Sequence, residues 1–519
     1  MTLQAVKLCA QKGHPFEVVF SQQWVLSETS VGELPGFTEH RLGPWGLHTG
    51  PDLNVAYAAD PERRIFAAVL GQAVDLAGAF VDHAVLRGHL AGTADAEALA
   101  QKLTMIGGRY AFVVIGPGVQ RLYLDPSGCL GAVYEPSARR VASTLFMALD
   151  RPVVPDTSYP YQSIAATGAG GRYAFGLTPD AHVRRLMCNH ALDLDTFEPR
   201  RHWPHPDMVL TCPMTMDAIE ARLETMITRQ RQILRGLTGA VQPAMLPISG
   251  GDDSRVLLAL SDQMLDRYAL FFVHRANKIS LRDVELARVL AERMDIDLRV
   301  FDVVEDNALK RRPRFAARMN VRQKLAMGGL EGGPDEKRRE IEVRQALPPG
   351  GAVFRGNVTD VSKAVLWRPV GIREFIRTRG AHHDPRLGVR LLMLGAEGAD
   401  KDPWCLNAYS DWMADLPQNA RARTLDFASL EQFRTHGQGA FFYATNRNFY
   451  QTPSADRTIL QALISIPPHL RDAFFINDML IERAAPQLAG VPFTRDTANA
   501  MRAARGDLQD WLTRGPDRL

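Results

Sequence analysis

Short apolar stretches broken by Gly and Pro dominate the first part of the chain. The stretches Ile65–Leu70, Arg109–Ile115 and Gln120–Leu124 have the length and composition of strands, and the last two are separated by a Gly-Pro-Gly turn that is typical of a hairpin. One helix is predicted at Ala94–Leu103. The pattern therefore predicts a β-rich first domain, residues 1–205.

Strands and helices alternate in the second part of the chain. Thr215–Leu237 places its apolar residues on one face of a helix. Farther on, strands predicted at Tyr268–His274 and Leu298–Val303 enclose a helix at Asp283–Arg293. This order predicts a parallel sheet covered by helices in residues 206–519, with ligands at the carboxyl ends of the strands.

The boundary between the two predicted domains is a stretch of turn-forming residues. Asp150–Pro206 is rich in Pro and Gly and predicts a connector. The full length of 519 residues accommodates two or three domains. We therefore expect one domain at 1–205 and another at 206–519.

The most informative stretch is Ala244–Leu260, which predicts a buried strand, a tight turn and the start of a helix. Gly250 and Gly251 leave room for a ligand to approach the backbone. The N–H groups and dipole at a helix start favour phosphate. The acidic residues Asp252 and Asp253 fit such a site if Mg²⁺ lies between carboxylate and phosphate.

The turn Ser249–Ser254 resembles the Ser-Gly-Gly-x-Asp-Ser loop of ATP pyrophosphatases, a group that includes asparagine synthetase, argininosuccinate synthetase, GMP synthetase and NAD synthetase. A Walker loop is excluded, because no Lys follows the glycines. The resemblance implies that ATP is cleaved to AMP and pyrophosphate. It also implies these nucleotide-binding residues: Leu246, Ser249, Gly250, Gly251, Asp252, Asp253, Ser254, Val273, Asp283 and Gly356.

A second segment, Ala352–Asp360, resembles the Ser-Gly-Glu-Gly-x-Asp-Glu motif of the asparagine synthetase superfamily. The alignment implies that Asp253 and Asp360 hold Mg²⁺ together. Three positions depart from the motif, where the chain has Arg355, Asn357 and Val361. Asn357 stands where the family has a Glu that handles the amine, so this position is expected to be catalytic while the amine chemistry is in doubt.

A rival for this second motif is Leu394–Lys401, which matches the family by letters but follows no clear strand. We favour the earlier segment, and we expect Asp360 to lie about 4–7 Å from Asp253 across a shared ion, with Asp400 farther away.

The family also has a late Lys that reaches the transition-state phosphates. No lysine follows Lys401 in this chain, and Arg495 is the nearest cationic residue to the expected position. An arginine there would still stabilise the charge on the phosphates, through a planar guanidinium rather than the compact ammonium of a lysine. The resemblance therefore implies a catalytic role for Arg495.

The first domain resembles the glutaminase domain of asparagine synthetases, an αββα fold of the N-terminal nucleophile class. The order of Thr93–Glu97, Gly108–Phe112 and Leu124–Gly128 carries this resemblance. The family's nucleophile is an N-terminal Cys, whereas Met1 is followed here by Thr2. A terminal Thr2 would be an alternative nucleophile. We favour a domain that does not hydrolyse glutamine, as in β-lactam synthetase and the lasso-peptide macrolactam synthetases.

Composition adds limits on partners and location. The formal net charge of +3 gives no reason to expect nucleic acid as a partner. The five cysteines lie far apart in the sequence and indicate reduced thiols in the cytoplasm. The sequence shows neither a leader nor an apolar run long enough for a membrane span. A homodimer stays open.

The resulting hypothesis is an ATP-dependent carbon–nitrogen ligase that uses Mg²⁺ and forms AMP. It would adenylate the carboxylate of a small molecule or peptide and form an amide, intramolecular in a natural product or modified peptide. Two alternatives stay open. One is an ATP-using enzyme that makes something other than an amide, and the other is a non-catalytic nucleotide-binding or scaffold protein.

Overall fold

The computed structural model describes residues 2–157, 173–275, 280–305, 313–329, 343–367, 384–393, 398–445 and 447–514. Within them the fold is mixed α/β, with two antiparallel sheets of six strands each and a parallel sheet of five. The antiparallel strands are β1 (Trp24–Ser27), β2 (Thr38–Leu42), β3 (Trp45–Thr49), β4 (Val55–Asp60), β5 (Ile65–Val74), β6 (Gly107–Gly116), β7 (Val119–Leu124), β8 (Ala132–Glu135), β9 (Arg140–Ala142), β10 (Arg184–Leu186), β11 (His190–Asp193) and β12 (Pro199–Arg201). The parallel strands are β13 (Ala244–Pro247), β14 (Leu270–Arg275), β15 (Leu298–Asp302), β16 (Ala352–Phe354) and β17 (Phe449–Gln451).

Among the described residues, five helices lie before residue 205 and the others after it. Those before residue 205 are α1 (Gln4–Lys12), α2 (Phe16–Val19), α3 (His83–Ala91), α4 (Ala96–Leu103) and α5 (Leu145–Ala148). Those after it are α6 (Met216–Ala240), α7 (Asp252–Leu260), α8 (Leu281–Met294), α9 (Pro313–Ala326), α10 (Pro385–Leu392), α11 (Pro403–Ala414), α12 (Thr424–Phe427), α13 (Thr435–Phe441), α14 (Arg457–Ser465), α15 (Pro468–Asp472), α16 (Phe475–Ala484), α17 (Asp496–Ala504) and α18 (Leu508–Arg514). A π-helix, Ala428–Arg434, joins α12 to α13. Among the described residues, no helix combines the length and apolarity that a membrane span requires.

The two antiparallel sheets pack face to face, with helices on both outer surfaces. Their strand orders are β10-β8-β9-β1-β3-β2 and β12-β11-β7-β6-β5-β4. Period-two alternation along β5 produces the layers, since Ala68 and Leu70 pack into the core between the sheets while Ala67 and Val69 pack against α3 and α4. On the outer face of the other sheet, α1, α2 and α5 cover β1, β8 and β9.

The segment predicted as a connector contributes strands, and that prediction was wrong. β10 extends one antiparallel sheet by pairing with β8, while β11 and β12 extend the other next to β7. These strands are three or four residues long and carry Arg and His. They are too short for an alternation of apolar and polar residues to be recognised in the sequence.

The parallel sheet has β13 in its middle, in the order β15-β14-β13-β16-β17, and all four neighbouring pairs are parallel. The predicted strand and helix order is therefore confirmed for this sheet. The carboxyl ends of β13, β14 and β16 meet at one edge, where the turn Ser249–Ser254 follows β13 directly.

Candidate functional site

A cavity of about 520 Å³ opens at the carboxyl ends of β13, β14 and β16. Cavities of this size are typical of small-molecule sites. The polar and charged side chains on its walls are those of Ser249, Asp252, Asp253, Ser254, His274, Ser280, Asp283, Arg355, Asn357, Lys363, Thr494, Arg495 and Thr497. The polar and charged residues of the cavity thus come from four separate parts of the chain.

Two serine hydroxyls hold the turn after β13 closed. The Oγ atoms of Ser249 and Ser254 lie 2.7 Å apart, and the backbone N–H of Ser249 donates to the Ser254 Oγ at 3.1 Å. The N–H of Gly251 donates to the Ser249 Oγ at 3.3 Å. Serine side chains commonly make such local bonds in turns, so the backbone of this turn is held by its own side chains.

The two glycines of the turn have different surroundings. A Cβ on Gly250 would lie 2.3 Å from the Thr494 Oγ1 and 2.5 Å from the Leu286 Cδ1, so this position has no room for a side chain. A Cβ on Gly251 would meet only the Ser249 Oγ, at 3.4 Å. Protein packing therefore disfavours a side chain at position 250, where Thr494 and Leu286 would have to shift, whereas position 251 borders the open cavity.

Asp283 fixes the turn from α8. Its Oδ1 accepts the backbone N–H of Gly250 at 3.1 Å and the hydroxyl of Thr494 at 2.6 Å. The N–H of Thr494 in turn donates to the carbonyl of Gly250 at 3.0 Å. One carboxylate oxygen of Asp283 thereby holds the loop, and the residue also lines the cavity.

The helix α7 begins at the cavity wall with Gly251 as its N-cap, and within the described structure no side chain caps this end. Asp252 therefore does not act as the cap. Its Oδ1 instead accepts hydrogen bonds from Arg502 and, at 3.3 Å, from the amide of Asn477. The uncapped N–H groups of this nine-residue helix suit an anion.

Asp253, the next residue, faces a different set of partners. Its Oδ1 lies 2.7 Å from the Nζ of Lys363 and 3.4 Å from the Thr359 hydroxyl. Gly356 packs against it, since a Cβ there would lie 2.5 Å from the Asp253 carbonyl oxygen. Because its side chain is 36% exposed, Asp253 remains accessible from the cavity.

The segment after β16 lies against the turn, as the favoured alignment requires. Arg355, Gly356 and Asn357 line the cavity, and buried Arg434 of the π-helix donates to the Asn357 carbonyl at 2.6 Å. The side chain of Asp360 lies outside the described structure, so its predicted distance from Asp253 stays a prediction.

The rival segment, Leu394–Lys401, does not follow a described strand of the parallel sheet. The residues before it form helix α10 rather than a strand, and Leu394–Glu397 lie outside the described residues. Its described remainder, Gly398–Lys401, is not among the residues that line the cavity.

The C-terminal segment 491–502 closes the site from the far side of the turn. Buried Arg255 of α7 donates to the carbonyls of Val491 and Pro492, and its guanidinium stacks on Phe493 at 3.8 Å from the ring centroid. Burial lowers the pKa of Arg255 to about 10, so it stays charged at neutral pH. Arg495, within the same segment, is exposed and lines the cavity.

The structure brings most of the predicted site residues together. Those that line the cavity are Ser249, Gly251, Asp252, Asp253, Ser254, Val273, Asp283, Gly356, Asn357 and Arg495. Leu246 is fully buried within β13, and Gly250 packs against protein, so neither lines the cavity.

The sequence did not predict the cavity-lining residues His274, Ser280, Lys363, Thr494 and Thr497, nor Arg502, which contacts Asp252. For Lys363 a signal existed, since it follows the second segment by three residues, and no lysine follows Lys401 later in the chain. Thr494 and Arg502 contact residues more than two hundred positions away, and no local pattern identifies such contacts.

The donors present fit a magnesium ion that is shared with phosphate. Among the described side chains, no group of three or more His, Cys, Asp or Glu could form an all-protein metal site. Mg²⁺ commonly uses one or two carboxylates together with substrate phosphates. Asp253 beside an uncapped helix start supplies that arrangement.

The beginning of the chain shows no reactive thiol. Thr2 is exposed and precedes α1, whereas Cys9 is buried within that helix. Burial is the main cause that raises the pKa of the Cys9 thiol to about 12, which keeps it protonated at neutral pH.

No protein-family model matches the chain, and no curated protein is significantly similar to it in sequence. The family assignment therefore stays a hypothesis that depends on short motifs and on the geometry of this cavity.

Proposed function

We propose that the chain is an ATP-dependent, AMP-forming synthetase of the asparagine synthetase superfamily. The observation that carries the proposal is the position of the turn Ser249–Ser254 at the carboxyl end of the central parallel strand, on the wall of a cavity that also contains Asp253, Lys363 and Arg495. Residues 206–519 form the ATP-pyrophosphatase domain in this proposal. Residues 1–205 form a degenerate glutaminase-type domain of the N-terminal nucleophile class.

The residues of the cavity divide into holding and reacting groups. Ser249, Ser254 and Asp283 fix the turn, so that the helix start and Gly251 receive the pyrophosphate part of ATP. Asp253 would hold Mg²⁺, with Asp360 as the second carboxylate. Mg²⁺ supplies charge neutralisation on the phosphates when bound.

The cationic side chains suit the charge that develops when a carboxylate attacks the α-phosphate. Arg495 and Arg355 line the same cavity as the turn. Their guanidiniums would stabilise the developing charge and orient the leaving pyrophosphate. Asn357 lines the cavity and would orient the acceptor rather than remove a proton, because an amide is not a base.

The proposed substrate is the carboxylate of a small molecule or peptide, with an amide as product. The buried, protonated thiol of Cys9 supports the part of the proposal in which glutamine is not hydrolysed, because it offers no thiolate nucleophile. All five cysteines, each within the described structure, are buried thiols, which supports a reducing cytoplasm.

Exchange of labelled pyrophosphate into ATP tests the proposal. Pools of carboxylic acids are added to the protein with Mg²⁺ and ATP, and exchange is expected with at least one pool and without glutamine. ATP binding without exchange or turnover would favour the scaffold alternative. AMP formation without an amide product would favour the other ATP-using enzyme.

A further inference from the structure

We propose that Lys363 makes metal binding at Asp253 conditional on the nucleotide. The ammonium of Lys363 pairs with the Asp253 carboxylate in the protein without nucleotide. When a magnesium–nucleotide complex binds, the metal replaces the ammonium at the carboxylate, and the released ammonium contacts a phosphate oxygen. This inference rests on the proposed function and assigns Lys363 a role that neither motif predicts.

The geometry places the ammonium on the carboxylate oxygen that a metal would use. The Nζ of Lys363 lies 2.7 Å from the Oδ1 of Asp253, and the two side chains are 16% and 36% exposed. Both residues line the cavity of the turn, together with Gly251. A displaced ammonium on a flexible four-carbon stem therefore remains in the space that the phosphates would occupy.

The two cations compete because they need the same negative charge. Mg²⁺ loses its waters reluctantly, and proteins usually hold it with one or two carboxylates together with substrate phosphates. Mg²⁺ alone is thus a weak competitor for Asp253 while Lys363 neutralises it. A nucleotide changes the balance, since its phosphates add ligands for the metal and a new partner for the ammonium.

The backbone that carries Lys363 is held independently of its ammonium. The 3₁₀ turn Thr359–Lys363 is fixed where Ser362 bonds to Asn477 and where the buried guanidinium of Arg471 donates to the Val361 carbonyl at 2.7 Å. Replacing the Lys363 side chain is therefore expected to leave the turn in place, which makes the competition testable.

The test compares Lys363→Met, which keeps most of the aliphatic stem, with the wild-type protein. Binding of Mn²⁺ alone is measured by electron paramagnetic resonance, and binding of ATP with Mg²⁺ by titration calorimetry. We expect the variant to bind Mn²⁺ alone about tenfold more tightly and ATP with Mg²⁺ about tenfold more weakly, because a neighbouring positive charge repels the metal and attracts phosphate.

Two further variants control the comparison. Lys401→Met removes the same charge from an exposed position outside the cavity lining and should change neither affinity. Asp253→Asn should weaken both, because the shared carboxylate is lost.

If Lys363→Met weakens the binding of both Mn²⁺ alone and ATP with Mg²⁺, Lys363 has only a structural role. If neither affinity changes, Lys363 takes no part in binding. Either result overturns the proposal. A wild-type protein that binds no ATP would overturn the proposed function and the phosphate half of this inference. The Mn²⁺ measurement would still decide whether Lys363 competes for Asp253.

Discussion

The two adjacent glycines of the turn provide a matched pair of substitutions. In Gly250→Ala the new methyl group would lie 2.3 Å from the Thr494 hydroxyl oxygen and 2.5 Å from a methyl carbon of Leu286. In Gly251→Ala the methyl group would meet only the Ser249 hydroxyl, at an ordinary 3.4 Å. The added methyl group thus meets packed protein at position 250 and the cavity at position 251.

The expected cost of Gly250→Ala follows from the contacts that must move. Thr494 would have to withdraw from Asp283, whose carboxylate its hydroxyl bonds at 2.6 Å. A hydrogen bond to a charged group contributes about 1.5–3 kcal/mol, and overpacking costs about 1–3 kcal/mol. Since these costs overlap, the free energy of unfolding should fall by about 2–4 kcal/mol.

Gly251→Ala should leave stability nearly unchanged. The backbone of Gly251 has φ −83° and ψ 164°, which any residue can adopt. Loss of glycine freedom in the unfolded chain stabilises by about 0.4–1 kcal/mol. The poorer N-cap costs about 0.5–1 kcal/mol, so the net change should stay within about 0.5 kcal/mol.

Urea unfolding followed by circular dichroism measures stability, and calorimetric titration with pyrophosphate measures binding. Gly250→Ala should lose both stability and binding, whereas Gly251→Ala should keep its stability and bind pyrophosphate about tenfold more weakly, because its methyl group obstructs the helix start. Equal destabilisation by the two variants, or unchanged pyrophosphate binding in Gly251→Ala, would refute this account of the turn.

Three further changes have defined outcomes. Asp253→Asn should reduce Mg²⁺-dependent ATP turnover at least tenfold, because one of very few hard ligands is lost; unchanged turnover would remove the metal assignment. A glutaminase assay should detect no ammonia, and activity that Thr2→Ala abolishes would contradict this. Arg471→Met should lower the free energy of unfolding by about 3–5 kcal/mol in urea titrations, because it leaves the buried Asp426 without the guanidinium that donates to it at 2.7 and 2.8 Å. A change below 1 kcal/mol would be inconsistent with that role.

Local pattern was sufficient for the strand, turn and helix around Ser249–Ser254. Apolar residues run up to Pro247, two glycines follow, and apolar spacing resumes within α7, so each step depends on neighbours in sequence. The parallel sheet followed from the order of its elements. Strand β17 was missed because its three residues form a strand only by pairing with β16.

The charged partners of Asp252 and Asp253 come from distant parts of the chain, so the local sequence pattern could not predict them. Arg502 was unpredictable as a partner of Asp252, because it belongs to a helix 250 positions later in the chain. The ion pair between Lys363 and Asp253 depends in the same way on helix α7 and the 3₁₀ turn Thr359–Lys363, which come together where β13 and β16 pair. The sequence was therefore sufficient to locate the turn, whereas the structure was needed to identify the charged residues around it.

The central claim is that the cavity beside Ser249–Ser254 cleaves ATP between its α- and β-phosphates. Phosphorus-31 nuclear magnetic resonance of the protein with Mg²⁺, ATP and an exchange-active carboxylate pool identifies the products directly. The account predicts equal amounts of AMP and pyrophosphate, both lost in Asp253→Asn. Formation of ADP and inorganic phosphate by the wild-type protein would contradict it.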